Sequence, residues 1–161
     1  EAHQYLIDHE YKVGYEEITG WWKDTGKPQD LLEGNQLILT DVAQDLSGAA
    51  EIDEFSRIQG NVIIEEGAQI LGRSYIRGPV VIGKCTVVRD SYIGPFTSIG
   101  NRVEVTGSEI EHSIIFDEAD VNCKRKIVDS ILGKNCTITD ATSTLPSGNR
   151  LIVGENSTVE L

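Results

Sequence analysis

Aliphatic side chains recur every six residues through the middle of this chain, and this period constrains the fold more than any other feature. The recurring positions are Ile52, Ile58, Ile64, Ile70, Ile76, Ile82 and Val88. Four places after each of the first six stands a small or β-branched residue: Ser56, Val62, Ala68, Ser74, Val80 and Thr86. A period of six fits neither an α-helix nor an alternating strand, whose periods are about 3.6 and 2.0 residues. The sequence therefore indicates a coiled chain that turns a corner every six residues.

Further along the chain, occasional five-residue steps keep the aliphatic positions in three columns. The first column is Ile58, Ile76, Ile93, Ile110 and Ile127. The second is Ile64, Ile82, Ile99, Ile115 and Leu132, and the third is Ile70, Val88, Val105, Val121 and Ile138. Successive members of a column are three steps apart, so the chain makes one full circuit between them. We expect each column to line one wall of a three-walled prism whose circuits stack at the strand spacing of ~4.8 Å.

This pattern resembles the hexapeptide repeat of left-handed parallel β-helices. In such a fold each circuit buries its aliphatic residues only by stacking on its neighbours, which creates one continuous core. A conventional β-sandwich would instead need alternating strands with turns at regular, longer spacing, and these are not seen. The sequence therefore predicts a mainly β protein with about five circuits.

The first part of the chain lacks the six-residue period. Residues 2–9 place apolar side chains on one helical face, Val13 to Ile18 alternate as a strand that runs into Trp22, and Pro28 suits the first turn of a second helix. This helix-strand-helix segment is too short to form its own core, so we interpret it as the remnant of an α/β domain. The period ends after Ile138. The expected division is 1–42 for the remnant, 43–142 for the β-helix and 143–161 for a tail.

Composition excludes several partners. The formal net charge is −12, which disfavours nucleic acid because phosphate backbones are bound by clustered Lys and Arg. No apolar run is long enough to cross a membrane. The three cysteines show no CxxC spacing, which favours reduced thiols in a cytoplasmic protein. The chain contains no Met and starts at Glu1, so we interpret it as a fragment.

Two stretches carry a further resemblance. The segment "GWWKDTGKPQDLLEGNQLIL" at 20–39, together with "SYIRGPVVIG", "SYIGPFTSIG" and "SEIEHSII" in the repeat, is similar to sugar-phosphate nucleotidylyltransferases. The similarity is greatest to long glucose-1-phosphate thymidylyltransferases, which carry a C-terminal β-helix. The resemblance covers residues 20 to about 140. It implies that this chain is the C-terminal part of an enzyme that makes dTDP-glucose from dTTP and glucose 1-phosphate.

The resemblance also implies roles for residues near the first helix. Asp24 matches the second magnesium-binding aspartate of the family, and a hard cation such as Mg²⁺ prefers carboxylate oxygens. Trp21 and Trp22 are candidates for substrate contacts, with packing as the alternative. The family's Gly-rich triphosphate loop and first metal aspartate have no counterpart here, so we expect the chain alone to be inactive. Its expected role is an oligomerisation or regulatory scaffold that forms a homo-oligomer through the β-helix.

An alternative function is acyl transfer. Some hexapeptide-repeat proteins are acetyltransferases that use acyl-CoA, with a histidine as general base. His112 is the only histidine in the repeat, and we expect its side chain to point away from the core. The basic run 124–126 could hold a phosphate, or it could be a solvated turn.

Overall fold

The computed structural model describes residues 2–20 and 22–140, and its dominant feature is a stack of short strands. In chain order the strands are β1 (Ala49–Ile52), β2 (Arg57–Gln59), β3 (Val62–Ile64), β4 (Ala68–Leu71), β5 (Tyr75–Arg77), β6 (Val80–Ile82), β7 (Val87–Arg89), β8 (Tyr92–Ile93), β9 (Thr97–Ile99), β10 (Glu104–Thr106), β11 (Glu109–Glu111), β12 (Ile114–Ile115), β13 (Asp120–Asn122), β14 (Lys126–Val128), β15 (Ile131–Leu132) and β16 (Thr137–Thr139).

Every third strand belongs to the same wall, and all pairings are parallel. Wall A is β3-β6-β9-β12-β15, wall B is β1-β4-β7-β10-β13-β16, and wall C is β2-β5-β8-β11-β14. Successive strands along the chain therefore lie on different walls, as a three-walled coil requires. The predicted fold class, a mainly β protein of the left-handed parallel β-helix type, is confirmed.

The strand register confirms the three predicted columns. Ile76 pairs with Ile93, Ile82 pairs with Ile99, and Val88 pairs with Val105. The side chains of the middle circuits are fully buried and form one continuous core. Like residues stack on like because each circuit repeats the conformation of the one before it.

Most of the small residues at the corners are buried, and several of them add a hydrogen-bond ladder. The backbone N–H of Ser91 donates to Ser74 Oγ at 3.3 Å, and that of Ser108 donates to Ser91 Oγ at 3.1 Å. Buried polar groups are costly unless they are paired. The serine hydroxyls therefore satisfy corner N–H groups that no strand can reach.

Most corners between the described strands also contain a residue in the left-handed backbone region. At the corner between walls A and B this residue is Gly67 in one circuit. In the next four circuits it is a non-glycine residue with φ between 55° and 64°: Cys85, Arg102, Glu118 and Asn135. Non-glycine residues adopt this conformation at a cost of about 1–2 kcal/mol each. The stacked walls on both sides supply the packing that holds these corners.

The N-terminal segment contains two helices, α1 (Ala2–Asp8) and α2 (Pro28–Thr40). Both helices and the start of α2 at Pro28 agree with the sequence. The predicted strand from Val13 to Ile18 was wrong, because this stretch has no regular secondary structure. A strand requires a hydrogen-bonded neighbour, and no described residue pairs with this one.

Helix α2 lies against wall A of the prism. Its Leu32 and Leu39 are buried, whereas Ile38 is 60% exposed. Asn35 fixes the contact, since its Nδ2 donates to Phe96 O at 3.0 Å and its Oδ1 accepts from Ser98 Oγ at 2.6 Å. Within the described ranges, neither helix is long and apolar enough to cross a membrane.

Candidate functional site

The turn that carries Asp24 is attached to the beginning of α2. Lys23 Nζ lies 2.6 Å from Glu33 Oε2 and 3.2 Å from Asp30 Oδ1. The hydrogen bond to Glu33, followed by that to Asp30, raises the pKa of Lys23, so the side chain stays charged. The backbone N–H of Lys27 donates to Asp30 Oδ2 at 3.1 Å, which satisfies an N–H at the start of the helix. The turn is therefore held by charge pairs that were not predicted from the sequence.

The carboxylate of Asp24 is exposed and accepts no hydrogen bond from any described residue. Its oxygens are thus available to a cation. The described residues contain no group of three or more His, Cys, Asp or Glu side chains that could hold a metal. A single free carboxylate fits Mg²⁺, because this ion is commonly bound through one or two protein carboxylates, with water and phosphate as the other ligands. The magnesium role of Asp24 stays a prediction.

Trp21 and Trp22, which precede Asp24 in the sequence, were the candidates for substrate contacts. Trp22 is 71% exposed, so it packs little against the rest of the described chain. Trp21 lies outside the described residues. The substrate-contact prediction for the pair therefore remains untested. The exposed side chain of Trp22 is nevertheless a large apolar surface beside Asp24.

His112 lies at the corner between walls C and A. Its Nδ1 is within hydrogen-bond distance of Asp129 Oδ1, one circuit further on, and its ring packs edge-on against Phe96 at 6.3 Å between centroids. A carboxylate in this position orients an imidazole and fixes its tautomer. Nε2, however, is shielded from solvent and has no hydrogen-bond partner. A substrate could reach it only if the groups around it moved.

The basic run at 124–126 does not form one cluster of free charges. Lys126 Nζ donates to Glu111 Oε2 at 2.6 Å on wall C. Lys124 and Arg125 are exposed in the turn that precedes β14, and the backbone N–H of Lys124 donates to Asp140 Oδ2 at 3.0 Å. The arrangement agrees with the solvated-turn interpretation.

No hydrogen bond or ion pair in the described part of the chain joins the Asp24 turn to His112. The two regions are connected indirectly, because Asn35 of α2 binds the backbone of Phe96 and Phe96 packs against His112. Sequence reasoning missed Asn35. Its one visible signal is an amide in the middle of a helix where helix-favouring residues are the norm.

Comparison with known proteins gives three informative relatives. The chain is 39% identical over 160 residues to a glucose-1-phosphate thymidylyltransferase of Streptomyces antibioticus, with 99% of this chain and 44% of the relative covered. This chain is related to the glucose-1-phosphate thymidylyltransferases. It is also 40% identical over 162 residues to the low-salt glycan biosynthesis nucleotidyltransferase Agl11 of Haloferax volcanii, with 100% of this chain and 45% of that protein covered.

A third relative shares a shorter stretch. The bifunctional protein GlmU of Methanocaldococcus jannaschii is 38% identical over 138 residues, which cover 84% of this chain and 33% of that protein. None of the protein-family models matches the chain. The chain spans less than half the length of these thymidylyltransferase and nucleotidyltransferase relatives. The predicted resemblance to nucleotidylyltransferases is confirmed.

Proposed function

We propose that this chain is the C-terminal part of a nucleotidylyltransferase that makes dTDP-glucose from dTTP and glucose 1-phosphate in the cytoplasm. The observation that carries the proposal is the alignment of nearly the whole chain with thymidylyltransferases more than twice its length. In this proposal residues 1–42 end the catalytic domain, 43–142 form the β-helix and 143–161 form the tail.

The exposed apolar side chains of the N-terminal segment support the presence of a neighbouring domain in the full-length protein. Helix α1 has no buried residue, and Ile7, Tyr15 and Ile18 expose most of their side chains, with Tyr15 at 99%. An exposed apolar surface of this extent is typical of a protein-protein contact. A neighbouring domain of the full-length protein would cover these side chains.

The Asp24 turn would then lie in the active site. Asp24 supplies one free carboxylate for Mg²⁺, and an aspartate upstream of Glu1 supplies the second. The bound ion would neutralise charge that builds up on the phosphates during transfer. Lys23, through Glu33 and Asp30, keeps the turn at the N-terminal end of α2, so Asp24 is positioned without being paired itself.

The experiment that tests this function uses the full-length protein. We expect pyrophosphate release from dTTP and glucose 1-phosphate that depends on Mg²⁺. Asp24→Asn should lower turnover and raise the Mg²⁺ concentration needed for half-maximal rate, because the ion loses a charged ligand. Asp41→Asn, at the other end of α2, is the matched control. Equal rates and equal Mg²⁺ dependence in both variants would exclude the metal role of Asp24.

The β-helix is proposed to act as an oligomerisation and regulatory scaffold. Tyr75 and Tyr92 are neighbours on the outer face of wall C, with ring centroids 5.6 Å apart. Aromatic side chains on a flat face suit a contact between copies, and symmetric oligomers are the most common assemblies. Sedimentation equilibrium should give more than one subunit, and Tyr92→Lys should lower that number. A wild-type monomer would rule out the scaffold.

Acyl transfer with an acyl-CoA donor is the second candidate, and the His112–Asp129 pair is the observation that favours it. The covered Nε2 of His112 weighs against it. The decisive assay measures CoA release from acetyl-CoA in the presence of an amino-sugar phosphate. Activity that disappears in His112→Ala supports the candidate, and the absence of wild-type activity removes it.

A further inference from the structure

Helix α2 connects the Asp24 turn to wall A of the prism. Near its N-terminal end, Glu33 Oε2 lies 2.6 Å from Nζ of Lys23, the residue that precedes Asp24. Two residues further on, Asn35 Oδ1 accepts a hydrogen bond from Ser98 Oγ of wall A at 2.6 Å. An α-helix rises about 1.5 Å per residue, so the two contacts lie about 3 Å apart along the helix axis. The position of Asp24 is therefore tied to the position of α2 on the prism.

Ser98 is the polar member of an otherwise aliphatic column on the outer face of wall A. Strand pairing aligns it with Val81 in the circuit before and with Ile114 in the circuit after. The column continues to Ile63 on one side and to Ile131 on the other. All five side chains are half-buried. Along this column, only one circuit offers a hydroxyl group to a helix that packs on the wall.

The same circuit also offers a backbone carbonyl beside this hydroxyl. One circuit earlier, Pro79 O accepts from Phe96 N at 2.7 Å. The next step of this ladder is displaced, because His112 N donates to Pro95 O at 3.0 Å, one residue before Phe96. The carbonyl of Phe96 instead accepts from Asn35 Nδ2 at 3.0 Å. A carbonyl oxygen can only accept, so this contact fixes which way the Asn35 amide points.

Apolar packing alone specifies the height of α2 on the wall only weakly. One helical turn rises about 5.4 Å, and neighbouring circuits lie about 4.8 Å apart. A shift of α2 by about one turn would therefore bring its buried Leu32 and Leu39 over aliphatic residues again. The same shift would move the amide of Asn35 from Ser98 to an aliphatic neighbour, and a half-buried amide without partners is costly. A single polar residue fixes the register of an apolar contact in the same way in coiled coils.

We propose that the Asn35–Ser98 pair sets the height of α2 on the prism and thereby positions Asp24 as a ligand of Mg²⁺. The metal role of Asp24 belongs to the function proposed above, on which this inference rests. Asn35 and Ser98 are positioning residues, because they act on Asp24 only through α2 and its turn. A displacement of about 1 Å at a reacting centre can lower a rate by about 100-fold, and a shift of one circuit is several times larger.

Ser98→Val in the full-length protein tests the proposal, because it makes the outer column wholly aliphatic. We expect turnover to fall by about tenfold or more and the Mg²⁺ concentration for half-maximal rate to rise by about threefold or more. The KM for glucose 1-phosphate should stay close to the wild-type value. Ser98→Thr keeps the hydroxyl and should keep wild-type kinetics. So should the matched control Thr137→Val, an exposed position on wall B.

Methyl NMR of the full-length protein gives a second readout, which does not depend on activity. In the wild type, the methyl groups of Leu32 and Leu39 should each show NOEs to one set of outward residues on wall A. In Ser98→Val a second set, displaced by one circuit, should appear. Ser98→Thr and Thr137→Val should give the wild-type set alone. If Ser98→Val does not fold, Ser98→Ala is the milder replacement, with the same outcomes expected.

The possible results separate the inference from the function on which it rests. Unchanged NOEs in Ser98→Val would overturn the inference, whatever the rate. So would a second set of NOEs with unchanged turnover and Mg²⁺ dependence, because the height of α2 would then not control the Asp24 site. A wild-type enzyme that releases no pyrophosphate, or an unchanged Mg²⁺ dependence in Asp24→Asn, would instead refute the proposed function. The NOEs would in that case still report whether the pair sets the height of α2.

Discussion

The adjacent residues Ile114 and Ile115 allow a direct test of what stabilises the prism. Both belong to β12, yet Ile115 points into the core with 1% of its surface exposed, and Ile114 lies half-buried on the outer face of wall A. Ile115 stacks between Ile99 and Leu132 in its column. The two side chains are chemically identical, so any difference between their alanine variants arises from position alone.

The expected magnitudes follow from burial. Ile115→Ala removes three buried carbons, worth about 2.4 kcal/mol at roughly 0.8 kcal/mol each. The rigid walls above and below cannot close the cavity fully, so the total cost should be about 3–4 kcal/mol. Ile114→Ala removes the same atoms from a half-exposed site without leaving a cavity, at a cost of about 1 kcal/mol.

Urea unfolding followed by circular dichroism measures the difference. With a slope of about 1–3 kcal/mol per M, the midpoint should fall by about 1–4 M for Ile115→Ala and by about a third of that for Ile114→Ala. Ile115→Val, at a cost of about 1 kcal/mol, covers the case in which the alanine variant does not fold. Equal midpoint shifts for the two alanine variants would refute the assignment of Ile115 to a dry core.

Three further predictions concern the corners and the helix. At the left-handed corner, Cys85→Gly should be more stable than Cys85→Val by about 1–2 kcal/mol, because only glycine adopts this backbone conformation freely. Thermal denaturation should therefore give the glycine variant the higher melting temperature. The backbone N–H of Asn101 donates to the Asp117 carboxylate and lowers the pKa of Asp117 below its ordinary value of 3.8. The ionised carboxylate therefore stabilises the fold above that value, and this stabilisation is lost as the pH falls through the lowered pKa. Urea midpoints between pH 5 and pH 2 should fall less for Asp117→Asn than for the wild type. Asn35→Leu should cost about 1–3 kcal/mol and release α2 to proteolysis, whereas the exposed Gln36→Leu should not.

The fold was predictable because one short rule repeats. Each circuit must place the same kind of side chain over the one below it, so the period alone fixed the pairing of Ile76 with Ile93 and of Ile82 with Ile99. The failed strand at Val13 to Ile18 shows the limit of such patterns. Alternation describes which face a strand would bury, but the strand forms only when a neighbour accepts its backbone hydrogen bonds.

The site was less predictable, for two physical reasons. Asp24 was recognised only by resemblance, since an exposed carboxylate without partners leaves no trace in composition or period. Polar pairs between circuits, in contrast, could have been found. His112 and Asp129 are 17 residues apart, and Arg102 and Glu118 are 16 apart, which is one circuit in each case. The left-handed corner at Glu118 was not predictable, because glutamate rarely adopts this conformation.

Every circuit takes up nearly the same length of chain, which makes the height of the prism adjustable in whole layers. Deleting residues 83–99, which make up one circuit, would join Ile82 to Gly100 and leave every column continuous, whereas deleting half a circuit would turn aliphatic side chains toward water. Each added or removed layer changes the separation of the two ends by ~4.8 Å. The prism is thus a spacer whose length can vary without any change to what is attached at either end.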